Sequence, residues 1–264
     1  MATRPAEVVD IHTRLLRCTL EAEHARAYWQ LPSSSKNAEQ VSTYAFEQSV
    51  FGSRSLARVK VLLANFRFRF DTFPDALQVL RGWQHMEPST RALVCHWHVQ
   101  LTDPLYRAFT GQFLVERHEA ARAEVTRDMV TRWVGDQGRG RWTLATRTQF
   151  ASQLLVTAKA AGLVLNVKDP RRLAFPRIAD DALTYLLYLL RGVDFGGSLV
   201  ENPYLASVGL DRRSAEDRLR SLSALHFRRQ GELLDFGWVY SGIGSWARAM
   251  FTLAAPALVV EEAS

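Results

Sequence analysis

A chain of 264 residues with 47% hydrophobic content can bury a sizeable core and hold two or more modules, since a domain commonly takes about 100–200 residues. Its longest apolar runs, residues 182–190 and 249–260, the second broken by Pro256, are shorter than the roughly 20 residues that a membrane-spanning helix needs, so no membrane role is expected. Two cysteines, Cys18 and Cys95, exclude a disulfide framework, and Glu7 and Asp10 near the start argue against a secretory signal, which makes a reducing cytoplasm the expected location.

The first 134 residues read as helical throughout. Residues 7–31 form the first expected helix, closed by Pro32 and the run Ser33-Ser34-Ser35; residues 38–51 form the second, ended by Gly52; residues 54–70 form the third. In the third, Leu56, Val59, Leu63, Phe66 and Phe70 recur at helical spacing as a buried stripe, leaving Arg54, Arg58, Asn65 and Arg69 together on the far side. Polar or proline punctuation then sets helices near 74–85, 88–100 and 103–119, and a last one over 125–134. The glycine-rich basic stretch at 135–141 reads as a flexible domain boundary.

Beyond it, Thr146 and Gln149 are spaced as a capping box for a helix that Gly162 ends, with Phe150, Leu154, Ala158 and Ala161 facing inward and Thr148, Gln149, Ser152 and Lys159 outward. Residues 163–167 and 173–175 then read as a hairpin whose tip carries Lys168, Arg171 and Arg172. Between Arg139 and Arg177 eight basic residues face one acid, Asp169. Arg139, Arg141 and Arg147 sit at the N-terminal end of this helix, where free backbone N–H groups already favour a phosphate.

A second unit of the same grammar occupies residues 202–240. Asn202 caps a short turn beginning at Pro203, Gly209 ends it, and a helix starts at Asp211 with Ala215, Leu219, Leu222 and Leu225 as its apolar stripe. Arg213, Asp217, Arg220 and Ser221 take the opposite face, where Asp217 is placed to pair with either arginine. Residues 227–229 and 233–240 flank Gln230-Gly231 as a hairpin carrying Arg228 and Arg229. Helix, turn, helix and hairpin in this order are the elements of a winged helix, whose second helix lies in the major groove of DNA.

The block at 146–164 (T-R-T-Q-F-A-S-Q-L-L-V-T-A-K-A-A-G-L-V), preceded by a helical run through Leu77-Gln78-Val79-Leu80, Trp97 and Leu105-Tyr106-Arg107-Ala108-Phe109, resembles the BrxA-like family of BREX bacteriophage-defence proteins. The resemblance covers residues 7–225 and implies a small, mainly helical protein encoded beside the larger BREX enzymes. It further implies double-stranded DNA binding without catalysis, and other BREX proteins as partners. An inner-membrane label is often given to family members; this chain has no apolar span to match it. From Phe236 onward, Ser241-Gly242-Ile243-Gly244-Ser245-Trp246 and the apolar tail depart from the pattern.

Enzyme signatures are missing from the sequence: there is no P-loop, nucleophile elbow or dinucleotide fingerprint. Cys95-His96-Trp97-His98 is rich in ligand types, but helical neighbours at i and i+2 point to different sides. Asp180-Asp181 fits an acidic first turn. The expected fold is therefore mainly α: a multi-helix bundle over residues 1–138, then two winged-helix-like helix-plus-hairpin units at 139–200 and 201–264. The expected function is non-enzymatic binding of double-stranded DNA, with RNA as the other polyanion that basic grooves serve, and without metal or cofactor. The candidate contacts are Arg54, Arg58, Arg69, Arg139, Arg141, Arg147, Lys168, Arg171, Arg172, Arg213, Arg220, Arg228 and Arg229. The alternative is a helical adaptor that scaffolds a larger defence enzyme, with Trp83, Trp97, Trp133 and Trp142 partly at a protein interface. Oligomeric state is left open.

Overall fold

A computed structural model describes residues 4–31, 37–138 and 140–254 of the chain; the closing signal at Pro32 to Ser35 and the candidate contact Arg139 lie outside the described residues. The expected single helix over 7–31 does not form. The chain enters as an extended segment, with the Glu7 N–H donating to the Asp194 carbonyl at 2.9 Å and the Val8 N–H to that of Leu101 at 2.8 Å. A single 3-10 turn comes next at Arg14–Leu16, and α1 (Ala22–Trp29) starts after Glu21, whose φ of 52° is left-handed. The carbonyls of Cys18, Thr19 and Leu20 are taken by the Arg69 guanidinium, so the groups that a continuous helix would have used are satisfied from 49 or more residues away.

The next helices obey their caps. α2 (Ala38–Glu47) opens on a reciprocal Asn37–Gln40 capping box, and α3 (Leu56–Phe66) on Ser55. α4 (Pro74–Gly82), α5 (Pro88–Thr102) and α6 (Pro104–Ala108) each begin with proline at the first helical position, where the missing N–H costs nothing. Two π-helical turns, Arg67–Asp71 after α3 and Phe109–Phe113 between α6 and α7 (Leu114–Glu119), extend these helices. The first of them alters the expected stripe. Val59, Leu63, Phe66 and Phe70 are buried as the spacing predicts, but Asn65 and Arg69 are buried with them. A π turn holds more residues than an α turn and rotates the succeeding residues around the axis, carrying Arg69 inward.

α5 is buried along nearly its whole length, and its polar groups are all the more dependent on partners. His96 bonds the Tyr106 hydroxyl at 2.9 Å and the Ser207 hydroxyl at 3.0 Å; His98 bonds the Arg69 carbonyl at 3.1 Å and the Tyr185 hydroxyl at 2.8 Å. Burial pushes the two imidazoles down to about 3 and about 4, so both are neutral at pH 7.

After α7 comes a two-residue strand, β1 (Glu124–Val125), then α8 (Arg127–Gly138) and α9 (Leu144–Ala160). Residues 135–138, expected in a flexible loop, are the last turn of α8. The cap of α9 is Thr143, whose hydroxyl accepts from the Thr146 N–H, so the helix begins earlier than a Thr146–Gln149 box would start it. Its inward residues Phe150, Leu154, Ala158 and Ala161 are buried as expected, and Gly162 ends it with φ +82°. β2 (Arg171–Arg172) pairs antiparallel with β1, Glu124 opposite Arg172. On its other side the chain returns against residues 163–165, through Leu165 N–H to Arg172 carbonyl at 3.0 Å and Ala174 N–H to Leu163 carbonyl at 3.1 Å. Residues 171–174 are thus the middle of a small three-stranded arrangement.

The remaining elements are α10 (Asp180–Arg191), α11 (Pro203–Ala206), α12 (Arg212–Ser221), the antiparallel pair β3 (Leu225–Gln230) and β4 (Leu233–Trp238), and α13 (Ile243–Ala254). Asn202 caps α11, Asp211 caps α12, and Gly231 turns the hairpin with φ +62°. The apolar interior is continuous from Leu15 to Ala247, and the fold is mainly α.

One close approach ties its two later parts together. The Phe175 ring stacks on His118 at 3.8 Å and lies against Gly209, where φ is +81° and an added Cβ would stand 2.4 Å from the ring. Gly209→Ala is therefore expected to cost about 2–3 kcal/mol from backbone strain and overpacking, read as a lower urea midpoint at unchanged m value.

Candidate nucleic-acid interface

The thirteen nominated cations do not form one set. Arg69 is 5% exposed and spends its donors on three backbone carbonyls; it is structural. Arg58 donates to Glu21 at 2.9 Å and to the Arg17 carbonyl at 2.6 Å. Only Arg54 of the expected stripe stays exposed and without a side-chain partner among the described residues, so no arginine face exists on α3.

In the α8–α9 region, Arg147 lies across Gly135 and donates to the Trp142 carbonyl at 2.9 Å, fixing the turn between the two helices. Arg141 is exposed, its guanidinium 5.8 Å from the Trp142 ring centre. Arg171 is not a tip residue: its side chain is 12% exposed and bonds Asp169 at 2.8 Å. Asp169 also accepts from the Arg127 N–H at 2.9 Å, fastening the hairpin to the start of α8. Burial raises the Asp169 carboxyl, but the Arg127 amide and the Arg171 guanidinium outweigh it and hold the group below the usual carboxylate range. Lys168 and Arg172 remain exposed at this hairpin, with no side-chain partner among the described residues.

The α12 region is different in kind. Glu216, with a 6% exposed side chain, faces Arg229 at 2.9 Å, Arg220 at 3.4 Å and Arg212 at 3.7 Å. Glu232 in the hairpin turn holds Arg212 at 2.8 Å and Arg229 at 3.2 Å, and Asp217 holds Arg220 at 2.7 Å. The hydrogen bond from Arg212 keeps the Glu232 carboxyl below its usual range. Arg220 and Arg229, nominated as contacts, are thus engaged with carboxylates. Arg213 and Arg228 are the exposed, unpaired cations of this region among the described residues.

The exposed face of α9 carries Ala145, Gln149, Val156, Lys159 and Ala160, with Thr148, Ser152 and Gln153 half-buried beside them. The helix contains no acid. The hydroxyls of Thr148 and Ser152 turn back to the carbonyls of Leu144 and Thr148, which leaves Gln149, Gln153 and Lys159 as its outward polar groups. The helix expected over 125–134 is α8, which packs on α9 across the expected domain boundary; sequence reasoning missed β1, since a two-residue strand has no periodicity to detect.

Of the four tryptophans expected partly at an adaptor's interface, Trp133 and Trp142 are half-buried. Trp97 is fully buried and Trp83 nearly so, while Trp133 packs on Phe109 and Phe113, and Trp142 on Phe150. Among the described residues no three His, Cys, Asp or Glu side chains converge as a metal site, and no helix is long and apolar enough to cross a membrane.

No family model and no curated protein matches the chain. Among solved structures it is similar to an uncharacterized protein from Magnetospirillum magneticum, at 18% identity and a TM-score of 0.53, over 69% of this chain and 97% of that one. That likeness concerns the fold alone.

Proposed function

We propose that the chain is a non-enzymatic double-stranded DNA-binding accessory protein, acting in the cytoplasm within a bacterial BREX phage-defence system. In support, two stretches hold helices followed by a hairpin-like pairing, the arrangement this reading needs: α7, β1, α8, α9, the segment 163–165 and β2, and then α10, α11, α12, β3 and β4. In a winged helix the second helix of the helix-turn-helix pair enters the major groove and the hairpin holds phosphate. The observation that carries the reading is the acid-free outward face of the N-terminal part of α9, in the same stretch of chain as Arg141, Lys168 and Arg172, exposed cations that no carboxylate holds among the described residues. The small side chain at Ala145 lets the N-terminal part of the helix approach closely, and Gln149 and Gln153 offer amides suited to adenine edges.

α12 has the same position in the second unit but a nearly neutral surface, because each carboxylate around it cancels an arginine. It is the lesser contributor, and phosphate contact there falls to Arg213 and Arg228.

A labelled duplex titrated at several salt concentrations tests the proposal. The logarithm of affinity is expected to fall linearly with that of salt, with a slope of about −3 to −5 for four to five phosphates neutralised, and the duplex is expected to emerge uncut. A-form duplex RNA, whose deep and narrow major groove excludes a helix, is expected to bind at least tenfold more weakly. Absence of a shift at low salt would overturn the reading.

A further inference from the structure

A concave groove of about 810 Å³ lies where the end of α9, the start of α5 and the chain entering α10 meet. Small apolar residues with accessible surface, Ala92, Ala160, Pro176 and Ala179, line it above the buried Leu93 and Ile178. Its rim is basic. Lys159 and Arg177 are exposed and without side-chain partners among the described residues, while Arg218 is held by Asp180 at 2.7 Å and donates to the Ile178 carbonyl at 3.1 Å.

The backbone of this rim is unusual for its position. From Phe175 to Ala179 the chain belongs to no helix or strand, and Ala179 is extended at φ −74°, ψ 155°. Among the described residues, the N–H groups of Phe175, Arg177 and Ala179 make no hydrogen bond within the protein. A segment outside any helix or strand, with free N–H groups beside an apolar trough, is what β-strand addition uses: the main chain supplies affinity and the trough takes alternate side chains. A duplex suits this geometry poorly, because its phosphates would reach the basic rim but leave the apolar trough unfilled.

We propose that this groove docks an acidic, extended segment of a partner protein. Its backbone pairs with the Arg177 edge, small aliphatic side chains enter between Ala92 and Ala160, and its carboxylates meet Lys159 and Arg177. The groove takes in only the C-terminal end of α9, Lys159 and Ala160, and includes neither Gln149 and Gln153 nor the hairpin cations Lys168 and Arg172, so the inference stands or falls independently of duplex binding through the N-terminal part of that helix. It also gives an adaptor role a surface away from Trp83, Trp97, Trp133 and Trp142, none of which lines the groove.

Panning a phage-displayed peptide library against the intact chain tests the partner chemistry directly. The enriched peptides are expected to carry two or more Asp or Glu residues around a small aliphatic one. A fluorescent copy of such a peptide is expected to lose at least tenfold in affinity for K159E/R177E. Ala179→Trp, which fills the trough from an exposed position without altering charge, is expected to abolish peptide binding while leaving both the unfolding midpoint and duplex affinity unchanged. Enrichment of basic or unrelated sequences, unchanged affinity in both variants, or displacement of the peptide by duplex DNA would each overturn the assignment, the last by giving the groove to DNA.

Discussion

Arg69→Met is expected to destabilise the fold by on the order of 5 kcal/mol, since a charged donor to a buried carbonyl contributes about 1.5–3 kcal/mol and this guanidinium serves the carbonyls of Cys18, Thr19 and Leu20. Methionine matches much of the aliphatic stem, so the loss falls on the hydrogen bonds more than on packing. The segment linking the Arg14–Leu16 turn to α1 would then have buried acceptors without donors, and its alternative, a continuous helix, is blocked by the pairing of residues 7 and 8 with Asp194 and Leu101. Arg54→Met, at an exposed arginine of the same basic segment, is expected to shift stability by no more than about 0.5 kcal/mol. Urea unfolding of both variants makes the comparison. Equal effects would mean that Arg69 is not the keystone of the N-terminal segment.

Acid should act on the same core. His96 and His98 are pushed by burial to about 3 and about 4, below the value of about 6.5 that they regain when unfolded. Below pH 6.5 the unfolded chain therefore binds protons that the native chain does not, and stability falls as pH falls. Above pH 6.5 both states are neutral at these sites and the contribution is complete. At pH 5 each histidine accounts for a loss of about 2 kcal/mol, and the decline continues to about pH 4 for His98 and beyond it for His96. Asp103, whose carboxyl burial raises, works in the opposite sense, because its protonation in the native state relieves a penalty as pH falls. The expected result is a stability plateau above pH 6.5 and a loss of roughly 3–4 kcal/mol by pH 5, with His98→Gln flattening part of the slope. A flat profile between pH 7 and pH 5 would mean that the two rings are solvated or that Asp103 compensates them fully.

The sequence was most legible where the signals are local. Asn202-Pro203, Asp211 and Gly231 place the helix starts and the hairpin turn of the second unit, because a cap, a proline and a positive-φ glycine each act within a few positions; Leu222 and Leu225, expected on the stripe of the second helix, lie beyond its end at Ser221, and Leu225 opens β3. The i,i+3 pairing of Asp217 with Arg220 was equally readable. The features that escaped it depend on distant residues. Arg58 finds Glu21 37 residues back, Arg69 finds carbonyls 49 to 51 residues back, and β1 exists only because residue 172 returns beside residue 124. Counting charge along the chain could not separate a cation held by a carboxylate from one left in water. The densest basic run thus yields two free hairpin cations, Lys168 and Arg172, while Arg171 between Asp169 and the strand serves as a fastener.

On the proposed function, α9 and its hairpin hold the duplex and α12 is secondary. Affinity for one duplex, measured for the unaltered chain, K168E/R172E and R213E/R228E at two salt concentrations, tests it most directly. Both variants change formal charge equally, so overall charge cannot account for a difference between them. K168E/R172E is expected to lose at least tenfold in affinity and about 2 in salt slope, against less than about threefold for R213E/R228E. Equal losses, or the larger loss in R213E/R228E, would contradict the account.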